Sequence, residues 1–444
     1  MNKLTGRIKQ TGTSIEHHAR CLSEAWRFRW HLYISEKFLT LDDLFHKGFV
    51  FSIERDLTSP ATRVMFNHSS RTMQQICLKM WLACNNGVYN TGGVHETKRR
   101  TQFLLEGLEF NRIFAPDIYF GIVPILSERA LKYDVIECGP LIRNPEISSL
   151  DCDRPYALVM KRLDEGRRLD HQLDTRSLCN EQGMEFLALE IVAMHKQLNP
   201  SSNDTDILAC LSAKLQLNRR YFHEALHQVQ KAPTHYDFRM RYGDWSMDWF
   251  KSVGWLMGQV AKAHLYDFKK RYVDGHVRRC HGDLKATNLW MYPKNASHSQ
   301  SFAFPGRLLP MDGVDFNPEF CHIDTLSDVA MLAVDLEMRI NNLPENKNKK
   351  NRGEQLAGHF LQTYLQTTGE SDDVWPMLEY YLTEKAMVCS YMSILFDNMP
   401  TLGEQYLEVV LSHSQKLVKY LPQKIDRKIT KPLTFTANET TPCC

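Results

Sequence analysis

The chain predicts an α+β protein in which a small antiparallel sheet with one main helix precedes a larger, mostly helical body. Three observations carry this. Short apolar runs recur from Phe49 to about Met160, one long stripe at helical spacing interrupts them, and after Arg162 the composition turns mostly helical. With 444 residues, 43% hydrophobic and 24% charged, the chain has apolar material for two or three substantial cores.

Residues 14–48 set Leu22, Ala25, Trp26, Phe28, Trp30 and Leu32 among many charges, which predicts a helical extension over 1–48. The runs Arg63–Phe66, Gln75–Leu82, Asp117–Val123 and Tyr156–Met160 then read as strands of one antiparallel sheet within a domain spanning 49–160. Between them Phe103, Leu104, Leu108, Phe110, Ile113 and Phe114 recur at helical spacing, predicting a helix from Thr97 to Phe114 that Pro116 stops. Apolar stripes over 184–198, 206–229, 245–273, 322–341, 354–366 and 374–396 make 161–421 the helical domain. A polar, turn-rich stretch at 293–307 reads as an insertion. Residues 422–444, polar and containing Pro432 and Pro442, read as a flexible tail.

The net charge of +2 gives no global reason to expect nucleic acid, and clusters such as Lys98-Arg99-Arg100 read as solvated helix faces. No run approaches the eighteen or so apolar residues of a membrane span, and the first residues lack a signal-peptide core, so the expected address is cytoplasmic. The twelve cysteines form no CxxC pair, which argues against zinc and for reduced, packed thiols. No pattern in the sequence specifies an oligomeric state.

The chemistry concentrates in Cys280-His281-Gly282-Asp283-Leu284-Lys285-Ala286-Thr287-Asn288 and Met311-Asp312-Gly313-Val314-Asp315-Phe316-Asn317. Phosphoryl transfer needs magnesium ligands, a cation on the phosphates and a base that orients the acceptor hydroxyl. Asp283 fits the base, and Asn288, five residues on, offers an amide oxygen to magnesium. Asp312 follows the apolar Leu308-Leu309-Pro310 and fits the principal metal carboxylate. Asp315 either helps to ligate or caps the next turn. Lys285 is a compact cation able to meet the transferring phosphate, against the plainer reading of a solvent-facing loop lysine. His281 reads as a brace for the loop rather than an acid or base.

Lys79 lies inside an apolar strand, where a lysine is costly unless it is paired or functional. It reads as the phosphate cation, with an edge lysine facing water as the alternative. The helix of 97–114 offers Glu106 and Glu109 as partners, Glu106 being preferred.

On these residues the chain resembles the aminoglycoside phosphotransferase-like kinases, a branch of the protein-kinase-like fold, and is similar to bacterial members of that family over roughly residues 50–400. The likeness extends to Leu108–Ile125, to Tyr156–Leu163 and to Ile323–Glu337. It implies a bilobal kinase with ATP in the cleft, adenine hydrogen-bonded to backbone near Met160, and a small-molecule hydroxyl as acceptor. Three departures stand out. Lys285 replaces the usual His, the gap from Asn288 to Asp312 is long, and the G-x-x-x-x-G-K-[ST] signature of the second domain fused to some members is absent. A glycine-rich G-x-G-x-x-G loop is absent too, and Asn67-His68-Ser69-Ser70-Arg71 occupies the corresponding strand turn.

The leading expectation is therefore an ATP- and magnesium-dependent phosphotransferase acting on a small-molecule hydroxyl. A protein kinase is disfavoured, because no A-P-E segment follows Asp312. A pseudokinase that binds nucleotide without turnover is the alternative of a different class, against which Asp283, Asn288 and Asp312 stand together. Asp324 and Asp328 open an apolar helix and read as structural acids at its N-terminus.

Overall fold

The computed structural model describes residues 46–422 except 68–74, 87, 94, 128–134, 152, 175–177, 202–206, 232–242, 244, 293–305 and 347–350. The predicted N-terminal helices, the tip of the 293–307 insertion, the tail and all of the Asn67–Arg71 turn but Asn67 lie outside the described residues. The chain forms two compact units, one made of Met1–Arg167 with Leu309–Pro318 and the other of Arg168–Leu308 with Glu319–Cys444. The segment carrying Asp312 and Asp315 thus groups with the sheet rather than with the helical domain to which the sequence reading gave it.

In the first unit, strands β1 (Phe49–Thr58), β2 (Thr62–Asn67), β3 (Ile76–Trp81), β6 (Tyr119–Ser127), β7 (Val135–Cys138) and β8 (Tyr156–Lys161) pair antiparallel in the order β1-β2-β3-β8-β6-β7. The sheet closes on itself where Phe49 faces Cys138 and Phe51 faces Ile136. Closure is a pairing of distant residues, so the local run pattern does not reveal it. A small hairpin, β4 (Cys84–Asn85) and β5 (Asn90–Gly92), follows β3. The enclosed core includes Phe51, Met65, Leu78, Val123, Ile136 and Val159. Because side chains alternate along a strand, Leu78 in this core turns Lys79 to the opposite face.

That opposite face is not solvated, for Lys79 is only 5% exposed. Helix α1 runs from Thr97 to Phe114 as predicted. Its C-terminal end is fixed by Arg112, whose guanidinium donates to the carbonyls of Tyr119 at 2.9 Å, Phe120 at 2.7 Å and Arg143 at 2.7 Å.

The second unit is built on α2 (Leu169–Asp174), α3 (Glu181–Lys196), α4 (Ile207–Lys231), α5 (Trp245–Ala263), α6 (Leu265–Val273), α7 (Thr325–Asn342), α8 (Arg352–Thr368), α9 (Trp375–Leu395) and α10 (Pro400–Leu417). The 245–273 stripe is two helices that break at His264. Helix α10 goes beyond the predicted stripes, although Pro400 at its start and the buried Tyr406, Leu407, Val410 and Leu411 give the signal. Helix α7 is the central element. Fifteen of its residues are buried, so it has no solvent face, and Asp324 caps it by accepting from the Leu326 N–H at 2.9 Å.

The α+β division, with a sheet and one main helix followed by a mostly helical unit, is the one the sequence predicts. Among the described residues no helix is long and apolar enough to cross a membrane. The eight described cysteines are free thiols, five of them buried.

Candidate functional site

In the first unit Lys79 projects from β3 against the 309–318 segment. Its Nζ lies 2.5 Å from Asp312 Oδ1 and 3.8 Å from Asp315 Oδ2, and 5.0 Å from the centre of the Trp81 ring. Burial opposes the ammonium charge, but Asp312 and then Asp315 raise its pKa above the ordinary lysine range. Lys79 is therefore a buried, paired cation and not an edge lysine facing water.

The partner is not the expected one. Glu106 accepts from Gln102 Nε2 at 3.0 Å, and Glu109 is exposed. Helix α1 turns Gly107 and Asn111, four residues apart, towards the 309–318 segment. Asn111 Oδ1 accepts the Gly313 N–H at 3.2 Å. A Cβ on Gly107 would stand 2.3 Å from Asp315 Oδ2. Glu106 is one residue round the helix from that face, which is why the carboxylates reach Lys79 from the segment instead.

The two aspartates differ sharply in setting. Asp312 has a left-handed backbone, φ 62°, and a side chain 55% exposed, and its N–H donates to the Tyr119 hydroxyl at 3.1 Å. A non-glycine residue in this region is strained and is held by its surroundings. The Asp315 side chain is 2% exposed. Phe316 locks the segment by packing on Trp81 and Tyr89, with ring centres 5.4 Å and 5.0 Å apart.

Met160 is buried in β8, flanked by Cys77 of β3 and Tyr119 of β6. The next two N–H groups are engaged as well, Lys161 donating to the Ile118 carbonyl and Arg162 to that of Gln75, both at 2.9 Å. At the end of β2, Asn67 Oδ1 accepts from the Ile76 N–H of β3 at 3.0 Å.

In the second unit the loop 280–288 follows β9 (Val277–Arg279), and Gly282, at φ 83°, makes the turn. Asn288 donates its amide N–H groups to the Asp283 carbonyl at 2.8 Å and to Asp283 Oδ2 at 2.9 Å. Its amide oxygen is thereby directed away from Asp283. Lys285 Nζ lies 3.1 Å from Asp283 Oδ1. Burial opposes its charge, and Asp283, with Cys389 and Asp397, raises its pKa beyond the usual lysine value. Lys285 is thus tied to the predicted base rather than left facing solvent. His281 is fully buried and its Nδ1 accepts the Asp283 N–H at 3.3 Å, the geometry of a brace.

The loop is held from beneath by two carboxylates of α7 spaced seven residues apart and so on one face of the helix. Asp328 accepts from the His281 N–H at 3.0 Å and the Gly282 N–H at 2.9 Å, and Asp335 accepts from the Ala286 N–H at 2.7 Å. Asp328 also meets His195 Nε2 at 3.2 Å, and His195 Nδ1 lies 2.7 Å from the Tyr364 hydroxyl. Asp335 is fixed by Arg339 Nε at 2.9 Å and the Tyr406 hydroxyl at 2.5 Å. His195, Cys280 and Asp328 place one donor atom each within 4.8 Å of one another. The His195 nitrogens and the Asp328 oxygens already have hydrogen-bond partners, so this cluster is a brace. Sequence reasoning treated Asp328 as structural and passed over Asp335 and His195. The seven-residue spacing of acids on an otherwise apolar helix is the signal that marks the pair.

No protein-family model matches the chain. No curated protein matches it either. Among solved structures it is similar to an ethanolamine kinase of Plasmodium vivax, at 9% identity and TM-score 0.39 over 83% of this chain and 82% of that one. It is similar to a choline kinase of Cryptosporidium parvum, at 12% identity and TM-score 0.40 over 82% of this chain and 88% of the other. A thermostable mutant of an aminoglycoside phosphotransferase is similar at 11% identity and TM-score 0.36, over 83% and 95% of the two chains.

Proposed function

We propose that the protein is an ATP- and magnesium-dependent phosphotransferase that moves a γ-phosphoryl group to a hydroxyl of a small molecule, sugar-like or an amino alcohol. The observation that carries the reading is the buried Lys79 held against Asp312, an exposed carboxylate in a strained left-handed backbone. Strain of this kind and a cation buried beside two acids are costly, and a purely structural strand has no need of them.

The donor set suits magnesium. Hard cations take oxygen ligands, and magnesium keeps several of its waters, so a half-exposed carboxylate such as Asp312 fits it, as does the amide oxygen of Asn288. Held by oxygens of this kind, the ion would neutralise charge on the nucleotide phosphates.

In this reading Lys79 binds the nucleotide phosphates. The acceptor hydroxyl donates its hydrogen bond to Asp283, which takes the proton as the oxygen attacks the γ-phosphorus and the bond to the β–γ bridging oxygen breaks. Asn288 holds the Asp283 carboxylate in place by donating to its Oδ2, and Lys285 offers a fixed positive charge beside it. Adenine contacts belong to the stretch that begins at Met160.

The test is phosphorylation of a metabolite pool by the purified protein with ATP and magnesium, read by mass spectrometry. The reading expects a phosphorylated hydroxyl product that Asp283→Asn abolishes with nucleotide affinity retained. ATP binding with no product from any acceptor would make the protein a nucleotide-binding module instead. Cytoplasmic residence and a role without nucleic acid or membrane partners belong to the same proposal.

A further inference from the structure

We propose that Asp315, in a space that Gly107 leaves clear, is the carboxylate that anchors Lys79, while Asp312 is the one given to the metal. This rests on the phosphotransferase reading and divides the labour of its acidic segment. The sequence alone leaves Asp315 as either a metal ligand or a turn cap.

Three features separate the roles. A magnesium ion that keeps part of its water shell requires an accessible carboxylate, which Asp312 is at 55% exposure and Asp315 is not at 2%. Asp315 nevertheless faces the lysine, with Oδ2 3.8 Å from Nζ. When Asp312 turns to a metal, Lys79 keeps an opposite charge only if Asp315 stays, and a buried lysine without one is strongly disfavoured.

Gly107 is the third feature. Its missing Cβ would stand 2.3 Å from Oδ2, 3.1 Å from Cγ and 3.2 Å from Cβ of Asp315. Any side chain at 107 would displace the Asp315 carboxylate, so the helix position that points at it is the one without a side chain. Asn111, one turn on, fixes the same segment through the Gly313 N–H and fixes α1 by donating to the Gly107 carbonyl at 2.7 Å. Lysine anchor and metal carboxylate therefore sit three residues apart on one clamped segment, and α1 supplies the space rather than the charge. Asp315 is a positioning residue, acting on phosphate through Lys79.

The test has two arms. In urea unfolding, a double-mutant cycle of Lys79→Met with Asp315→Asn is expected to show coupling of at least about fivefold in the unfolding constant, and the same cycle with Glu106→Gln none. This arm needs no nucleotide, so it stands even if the phosphotransferase reading fails. In ATP titrations with magnesium or with EDTA, Asp312→Asn is expected to lose the enhancement that magnesium gives. Asp315→Asn is expected to keep that enhancement while its effect on affinity disappears in the Lys79→Met background. Gly107→Asp combined with Asp315→Gly, which returns a carboxylate from the helix side, is expected to recover wild-type affinity to within about threefold. Loss of the magnesium enhancement in Asp315→Asn, or coupling of Lys79 to Glu106 and not to Asp315, would overturn the proposal. A wild type that binds no ATP would instead sink the phosphotransferase reading and leave the unfolding cycle to decide the anchor.

Discussion

Asp328 of α7 accepts the backbone N–H groups of both His281 and Gly282, at 3.0 Å and 2.9 Å, so the turn before Asp283 rests on one fully buried carboxylate. Burial works to raise its pKa, but the hydrogen bond and charge of His195, with the Gly282 N–H, bring it below the usual carboxylate value. The depressed pKa means stability that is complete above the unfolded-state value near pH 4 and lost as pH falls through the folded one. Asp328→Ala removes the acceptor of one buried and one part-buried amide and the charge partner of His195, and is expected to cost about 3–5 kcal/mol. Urea unfolding at neutral pH measures it, and a loss under about 1 kcal/mol would refute this brace.

His413 gives the opposite pH dependence. Buried between Glu379 Oε2 at 2.7 Å and Glu337 Oε2 at 3.0 Å, it is opposed by burial, yet the two carboxylates push its pKa up to about 9. Its contribution is whole below the unfolded-state value near 6.5 and is lost as pH rises through about 9. Thermal melts between pH 6 and 10 should show a fall on the order of 3 kcal/mol in stability from this group, which His413→Gln flattens. An unchanged slope in that variant would count against it.

Arg271 forks between Asp324, at 2.7 Å and 2.9 Å, and Glu370, at 2.7 Å and 3.0 Å, and is itself 5% exposed. Arg271→Leu strands two acids, and the expected loss is about 3–5 kcal/mol. Lysine has no planar fork, so Arg271→Lys should recover less than half of it. Full recovery by lysine in denaturant titrations would show that charge alone matters here.

For the proposed reaction, Lys285→Met is expected to lower kcat about 10- to 100-fold with little change in KM for ATP, because the lysine is tied to Asp283. Lys285→Arg should keep more of the rate. A change confined to KM would move Lys285 to the nucleotide instead.

Much of this protein was legible from residue order alone. The strand runs, the helix from Thr97 to Phe114 and the loop 280–288 are written in local periodicity and short motifs, because helix and strand periods depend on neighbours in the chain. Lys79 was conspicuous for the same reason, as a charge inside an apolar strand. Its partners were not, since Asp312 and Asp315 come from more than two hundred residues away and the nearer acid Glu106 is turned off the facing surface by one helical step. Closure of the sheet, the seating of Asp315 in the space at Gly107 and the support of the loop by Asp328 and Asp335 likewise depend on which distant faces meet. Packing decides that, because burial rewards any match of shape and charge and leaves no mark at fixed spacing in the sequence.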